Sequence, residues 1–254
     1  MAFLAHIGRQ FLGLAVAGSG LMQIINADFV RLVAKPAWLP EPQIFAVGAG
    51  SALLAIGAAI LCAYRLRAAA LALAGLLTVA FLLKIPEILA NPGAGFVWTN
   101  PAKVLALTGG ALLLAATSGR GAVVGAVASL AVFLLICGAQ HIAYAPFVDG
   151  LVPAWIPPNP RFWTIFTAIA LLVGGAGVLL PKTRPPAALL VGVMILLWVL
   201  LLHIPRSVTM RSAFELAGVF EALALTGVAW LVASGDGTPV QGVKARSNSA
   251  RRED

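Results

Sequence analysis

Residues 36–40 read Pro-Ala-Trp-Leu-Pro, and residues 153–157 read Pro-Ala-Trp-Ile-Pro. Two more pairs keep almost the same spacing: Leu83-Lys-Ile-Pro86 returns as Leu202-His-Ile-Pro205, and Ala106-Leu-Thr-Gly109 returns as Ala224-Leu-Thr-Gly227. Chance likeness between apolar stretches would not keep the tryptophan, the prolines and the offset together. The chain therefore reads as one unit written twice, over 1–119 and 120–234, followed by a polar segment, 235–254, expected to be a disordered cytoplasmic tail.

Between these anchors the sequence is almost wholly aliphatic. Hydrophobic residues make up 61% of the 254 and charged residues 10%, against about 25% charge in a soluble domain, so a soluble enzyme is excluded. The apolar runs fall at about 4–25, 44–64, 68–88, 102–116, 122–142, 162–180, 187–204 and 213–233. Most of them approach the roughly 20 residues that cross a bilayer. The expected fold is an all-α membrane protein with eight transmembrane helices arranged as two four-helix repeats. The first run matches the fifth, which argues for a true helix rather than a secretory signal.

Four helices per unit is an even number, so both units enter the bilayer from one side and the repeats are parallel, related by an axis along the membrane normal. One face then collects ten basic residues, including Arg9, Arg65, Arg67, Arg120, Lys182 and Arg184, with a net charge of about +7; the other face is near +1. The bias places both termini in the cytoplasm and the protein in the inner membrane. It also explains the formal charge of +8 without nucleic acid, leaving the lipid bilayer as the evident partner. Twelve of the 16 prolines and Trp38, Trp98, Trp155 and Trp163 lie on the outer face, as expected for compact caps at headgroup level.

Ionisable groups in hydrocarbon cost energy and ask for a partner or a purpose. Glu221 lies about eight residues into the last run, roughly 12 Å from its start at 1.5 Å per residue. The second unit offers Gln140, His141, Tyr144, His203 and Arg206 toward the same ends, so an outward polar pocket is expected there. At the corresponding places the first unit has Gln23, Lys84, Glu87 and Lys103, a second pocket of different charge. Interhelical glue is the plainer use of such residues; acid–base or quinone handling by His203 and Glu221 is the sharper one. Two histidines would also be the minimum for bis-histidine haem, a weaker reading, while no ligand set suits a metal ion. Cys62 and Cys137 form no CxxC pair, so dithiol chemistry is not expected. Arg211 and Glu215, four apart, suggest an interfacial ion pair. Gly48, Gly50, Gly57, Gly121, Gly125, Gly174, Gly175 and Gly177 suggest close helix packing.

The second unit, through Gly138-Ala-Gln-His141, Phe147-Val148, Leu151-Val-Pro-Ala-Trp-Ile-Pro157 and Pro181-Lys-Thr-Arg184, resembles the DoxX-like family of small four-helix membrane proteins. The first unit resembles it through the Trp/Pro segment and Lys103-Val-Leu-Ala-Leu-Thr-Gly-Gly-Ala-Leu-Leu-Leu114. The resemblance implies a membrane bundle serving as an accessory or quinone-linked component of a redox system, with a membrane redox protein as partner. Family members are usually single units, whereas two are fused here. Gln23 stands where the second unit has His141, so a histidine-dependent role would survive only in the second copy. The other function classes compatible with the sequence are a small-molecule transporter or binding protein with its site at the repeat interface, and a structural subunit of a membrane complex.

Overall fold

The computed structural model describes residues 1–29, 40, 42–115 and 120–235. The first Trp/Pro segment with Arg31, Lys35 and Trp38, residues 116–119 and residues 236–254 lie outside the described residues.

The described chain is all helical: α1 (Ala2–Asn26), α2 (Pro42–Leu61), α3 (Leu66–Leu82), α4 (Ile85–Ala90), a 3-10 turn (Gly95–Trp98), α5 (Thr99–Ala115), α6 (Arg120–Ala143), α7 (Ala145–Asp149), α8 (Pro160–Leu179), α9 (Arg184–Trp198), a π turn (Val199–His203), α10 (Ile204–Met210) and α11 (Ala213–Ala233). Each apolar run is a helix, but two are interrupted before a proline. Pro86 and Pro205 have no amide hydrogen to give to the preceding turn. The third run therefore breaks into α3 and α4, and the seventh widens into the π turn before α10.

Six segments are long and apolar enough to cross a membrane: 42–61, 66–90, 121–143, 160–179, 184–210 and 213–233. The chain is thus an integral membrane protein by length and composition of its helices. The other two helices depart from the expectation of eight uniform spans. α5 has only 17 residues, and α1 interrupts its apolar surface with Arg9, Gln10, Ser19 and Gln23. The buried surface is also uneven: 83% of the α11 span is covered by protein, against 28% for α2. Hydrophobicity on all sides of α11 is therefore core, whereas that of α2, α3, α8 and α9 is mostly outward and suited to lipid.

The helices pack as a closed sequence of neighbours. α1 lies on α2, α2 on α3, α3 on α5, α5 on α6, α6 on α8, α8 on α9, α9 on α11, and α11 returns to α1, while α5 and α11 also touch each other. Glycine sets the closest of these approaches. A Cβ on Gly8 would stand 2.8 Å from the Gly227 carbonyl oxygen, and one on Gly227 would stand 2.7 Å from the Gly8 carbonyl oxygen. At Gly20, a Cβ would lie 2.5 Å from both Gly50 O and Leu54 N. Not every glycine expected at an interface turns its Cβ side to one: Cβ positions on Gly48, Gly121 and Gly125 meet nothing within 4 Å, although the Gly125 carbonyl oxygen would lie 3.3 Å from a Cβ on Gly109. Spacing alone does not tell which side of an all-apolar helix faces its neighbour.

Polar groups finish the helix ends. Buried Arg9 donates from Nη1 to the Ile60 and Leu61 carbonyls, 3.0 and 3.4 Å away, at the end of α2. Arg184 donates from Nε to the Val178 carbonyl at 3.1 Å, and the Thr183 hydroxyl to that of Gly177 at 2.8 Å, at the end of α8. Asn159 and Ser212 cap α8 and α11 by accepting from the amides of Phe162 and Phe214. In the cap between α7 and α8, Arg161 donates to Asp149 Oδ2 at 2.9 Å. The adjacent Thr164 hydroxyl, together with Arg161, holds the Asp149 carboxyl below its ordinary value of 3.8.

Two outcomes follow. Gly20→Leu should lower the thermal midpoint by several degrees or abolish folding, because the added side chain meets backbone, while Gly75→Leu, with nothing within 4 Å, should leave it nearly unchanged in a detergent melt. Because its pKa is depressed, Asp149 stabilises the fold above its ordinary value and loses that contribution as pH falls through the lowered one. Asp149→Asn should therefore cost stability at neutral pH and lose its effect in strong acid, as measured by thermal melts across pH.

Candidate functional site

Glu221 lies on α11 and Lys103 on the second turn of α5, and their side chains meet. Lys103 Nζ donates to Glu221 Oε2 at 2.8 Å, with side-chain exposures of 15% and 6%. Lys103 Nζ also reaches Asn100 Oδ1 at 3.3 Å. One turn farther into the bundle from each charge lie buried Leu107 and Leu225, so the pair stands on an aliphatic floor. The sequence placed Glu221 among residues of the second unit and Lys103 in a separate pocket of the first. The structure instead joins them, because α5 and α11 touch across the bundle.

Lys84 belongs to the same neighbourhood. It sits at the break between α3 and α4, is 5% exposed, and has Glu87, Glu221 and Lys103 within electrostatic reach. Glu87 itself is exposed on α4. Cys137 on α6 is buried and also within electrostatic reach of Lys103. Both Cys62 and Cys137 are free thiols.

The other residues expected around Glu221 are occupied nearby. Gln140 accepts from the Thr99 hydroxyl at 2.7 Å and donates to the Gly95 carbonyl at 2.6 Å, fastening α6 to the entrance of α5. Tyr144 packs on Gly95, where a Cβ would collide with its hydroxyl. His141 Nδ1 lies 2.7 Å from the Cys137 carbonyl, and its ring stacks on Trp198 with centroids 5.9 Å apart. His203 ends the π turn, which packs on α11. Arg206 grips Glu215 with Nη2 to Oε1 at 2.9 Å and Nε to Oε2 at 3.2 Å. This corrects the expected pairing of Glu215 with Arg211 along one helix: Arg211 has φ 47° and ends α10, so residues 211 and 215 do not share a helix. Gln23 on α1 is fully buried and donates to the Ala46 carbonyl at 3.2 Å, and its Oε1 has no hydrogen-bond partner among the described residues.

Thr99, Asn100 and Trp198 were not singled out in the sequence. Thr99 and Asn100 precede Lys103 in an ordinary helix start, and Trp198 reads as one more lipid-facing aromatic. The Lys103–Glu221 contact did leave a trace, since the two residues stand 118 apart, close to the spacing between the similar motifs. Among the described residues, no three His, Cys, Asp or Glu side chains are grouped to hold a metal ion.

A family profile described as a domain of unknown function, DUF8561, matches residues 130–213. The match includes Gln140, His141, Tyr144, His203 and Arg206 but stops before Glu221 and α11. No curated protein and no solved structure matches the chain.

Removing one member of a buried ion pair leaves the other charge unpaired, at a cost of about 3–5 kcal/mol, whereas replacing both with apolar groups is often close to neutral. Lys103→Met and Glu221→Met should therefore each destabilise the protein strongly, and the double variant should recover most of the loss in reversible detergent unfolding. Additive losses would show that the pair is not coupled.

Proposed function

We propose that the chain is a fused, two-unit DoxX-like membrane protein that serves as an accessory, quinone-linked component of a membrane redox system. Its working site lies where α5 of the first unit crosses α11 of the second. The carrying observation is the Lys103–Glu221 ion pair, 2.8 Å long and largely shielded from solvent, which links α5 to α11.

The two-unit reading is supported by the packing. Exchanging α1 with α6, α2 with α8, α3 and α4 with α9 and α10, and α5 with α11 reproduces the order of neighbours. Close contacts recur at an offset of 118: Gly20 meets Gly50 and Leu54, as Gly138 meets Ala168 and Leu172. Gly57 meets Ala17, as Gly175 meets Leu135. Residues 103 and 221, like Gly110 and Val228, are counterparts that touch each other, as expected on either side of a pseudo-twofold axis. Four helices per unit would make the repeats parallel, and the basic bias of the sequence would put both termini in the cytoplasm.

The residues present suit a quinone. The Lys103 and Lys84 ammonium groups are donors for a carbonyl oxygen, and Glu221 Oε2 is an acid–base atom in a dry setting. A bound quinone would supply two-electron, two-proton chemistry. The chain's part would be to orient its head through Lys103 and to hold a proton at Glu221, with the aliphatic floor of Leu107 and Leu225 excluding water.

A second reading, small-molecule binding or transport, is favoured by one feature: the ion pair bridges the two units, the location where transporters built from repeats place their sites. Purification in mild detergent, solvent extraction and mass analysis separate the two. Retained quinone that is lost in Lys103→Met supports the redox component. Quinone-free protein that takes up solute in proteoliposomes would overturn it in favour of transport.

A further inference from the structure

We infer that a groove at the start of α3 seats an anionic phospholipid, with Arg65 and Arg67 holding its phosphate. The groove lies at the opposite end of the bundle from Lys103 and Glu221, so it stands independently of the quinone reading. Charge at that end is one-sided. The described acidic residues, Asp28, Glu87, Asp149, Glu215 and Glu221, lie toward the other end, where α1, α3 and α6 finish and α5, α8 and α11 begin. Arg9 and Arg184 are engaged with carbonyls at the ends of α2 and α8. Arg65, Arg67 and Lys182 are exposed and have no ion pair among the described residues.

Two of these three cations share a groove. The turn from α2 to α3 puts Ala63 and Arg65 in the left-handed region, with φ of 53° and 43°, and the Arg65 guanidinium sits 5.7 Å from the centre of the Tyr64 ring. An open groove of about 420 Å³ is lined by Arg65, Leu66, Arg67, Ala68 and Leu71. Its wall is made of aliphatic groups and of the arginine stems, which lie along apolar surface while their heads stay in the polar layer. The basic bias of this end accounts for the presence of arginines. It does not call for an apolar groove beside two of them.

The groove opens where α3 enters the bilayer. Tyr64 and Leu71 beside it are 63% and 47% exposed, and exposed Ala72 and Gly75 continue the side of Ala68 inward. A Cβ on Gly75 would meet nothing within 4 Å, so an acyl chain has a low path along this side of the helix. Guanidinium groups offer paired N–H donors that match phosphate oxygens, and the apolar wall suits the glycerol backbone and the upper acyl chains. A soluble anion would use the arginines and leave the wall bare. A zwitterionic lipid would bring another cation to an end that already has an excess, whereas an anionic lipid satisfies both parts of the groove.

The test is native mass spectrometry of the full chain in dodecyl maltoside, titrated with dioleoyl phosphatidylglycerol or dioleoyl phosphatidylcholine. The first phosphatidylglycerol should bind saturably and about tenfold more tightly than phosphatidylcholine. Arg65→Asn combined with Arg67→Gln should remove that preference; asparagine is chosen at 65 because it tolerates the left-handed backbone. Ala68→Trp, which fills the groove and leaves both charges, should weaken phosphatidylglycerol binding as well. Lys182→Gln removes an exposed cation outside the groove and should change nothing. Equal affinity for the two lipids, or undiminished binding in the arginine variant or in Ala68→Trp, would overturn the inference. So would a loss in Lys182→Gln as large as that in the arginine variant, which would show attraction spread over the whole basic end. Displacement of phosphatidylglycerol by inorganic phosphate would overturn it in favour of a soluble anion. The substituted side chains are exposed, and the comparison of the two lipids on the wild-type chain stands even if a variant does not fold.

Discussion

Lys103 and Glu221 come from places 118 residues apart, and their side chains meet at 2.8 Å. In a bundle whose floor is aliphatic, an ammonium and a carboxylate each carry a large desolvation cost that is offset only at contact distance. The 2.8 Å contact therefore constrains more than two side chains. It fixes the rotation of α5 and α11 about their axes and, through them, the faces presented to α3, α6, α9 and α1. Coupling between the halves extends to the rim, where Gln140 of α6 holds both Thr99 and the Gly95 carbonyl.

Small residues do the complementary work. With lipid on the outside there is little hydrophobic force to drive one helix against another, so close backbone approach and dispersion must hold the bundle together. Gly8 against Gly227 and Gly20 against Gly50 supply that approach on the two sides of α1. We propose that the ion pair selects among packings that small residues alone would tolerate, a role that the charge-removal variants test.

Much of the scaffold was legible from composition and pattern. The eight apolar runs became helices, and the Ile-Pro pairs at 85–86 and 204–205 marked where two of them break. The facing of the helices was not legible, because an aliphatic helix has no polar side to orient it; Gly48 and Gly125 were expected at interfaces and point to open space. The two separate polar pockets were a related misreading. They followed from the expectation of two closed four-helix bundles, whereas α1 packs on α11 and α5 on α6. Positions 103 and 221 stand 118 apart, the spacing between the similar motifs, but a sequence does not show that two such positions touch.

That meeting is the central claim, and cross-linking in native membranes tests it most directly. In a background lacking Cys62 and Cys137, Gly110→Cys with Val228→Cys places thiols on counterpart positions that touch at the crossing of α5 and α11. Mild oxidation should join the halves within one chain, so that they stay together on a gel after cleavage at a protease site inserted at 116–119. Cysteines at 110 and at Leu190, an exposed position on α9, should not cross-link. Halves that separate after oxidation, or a link formed only between different chains, would contradict the account.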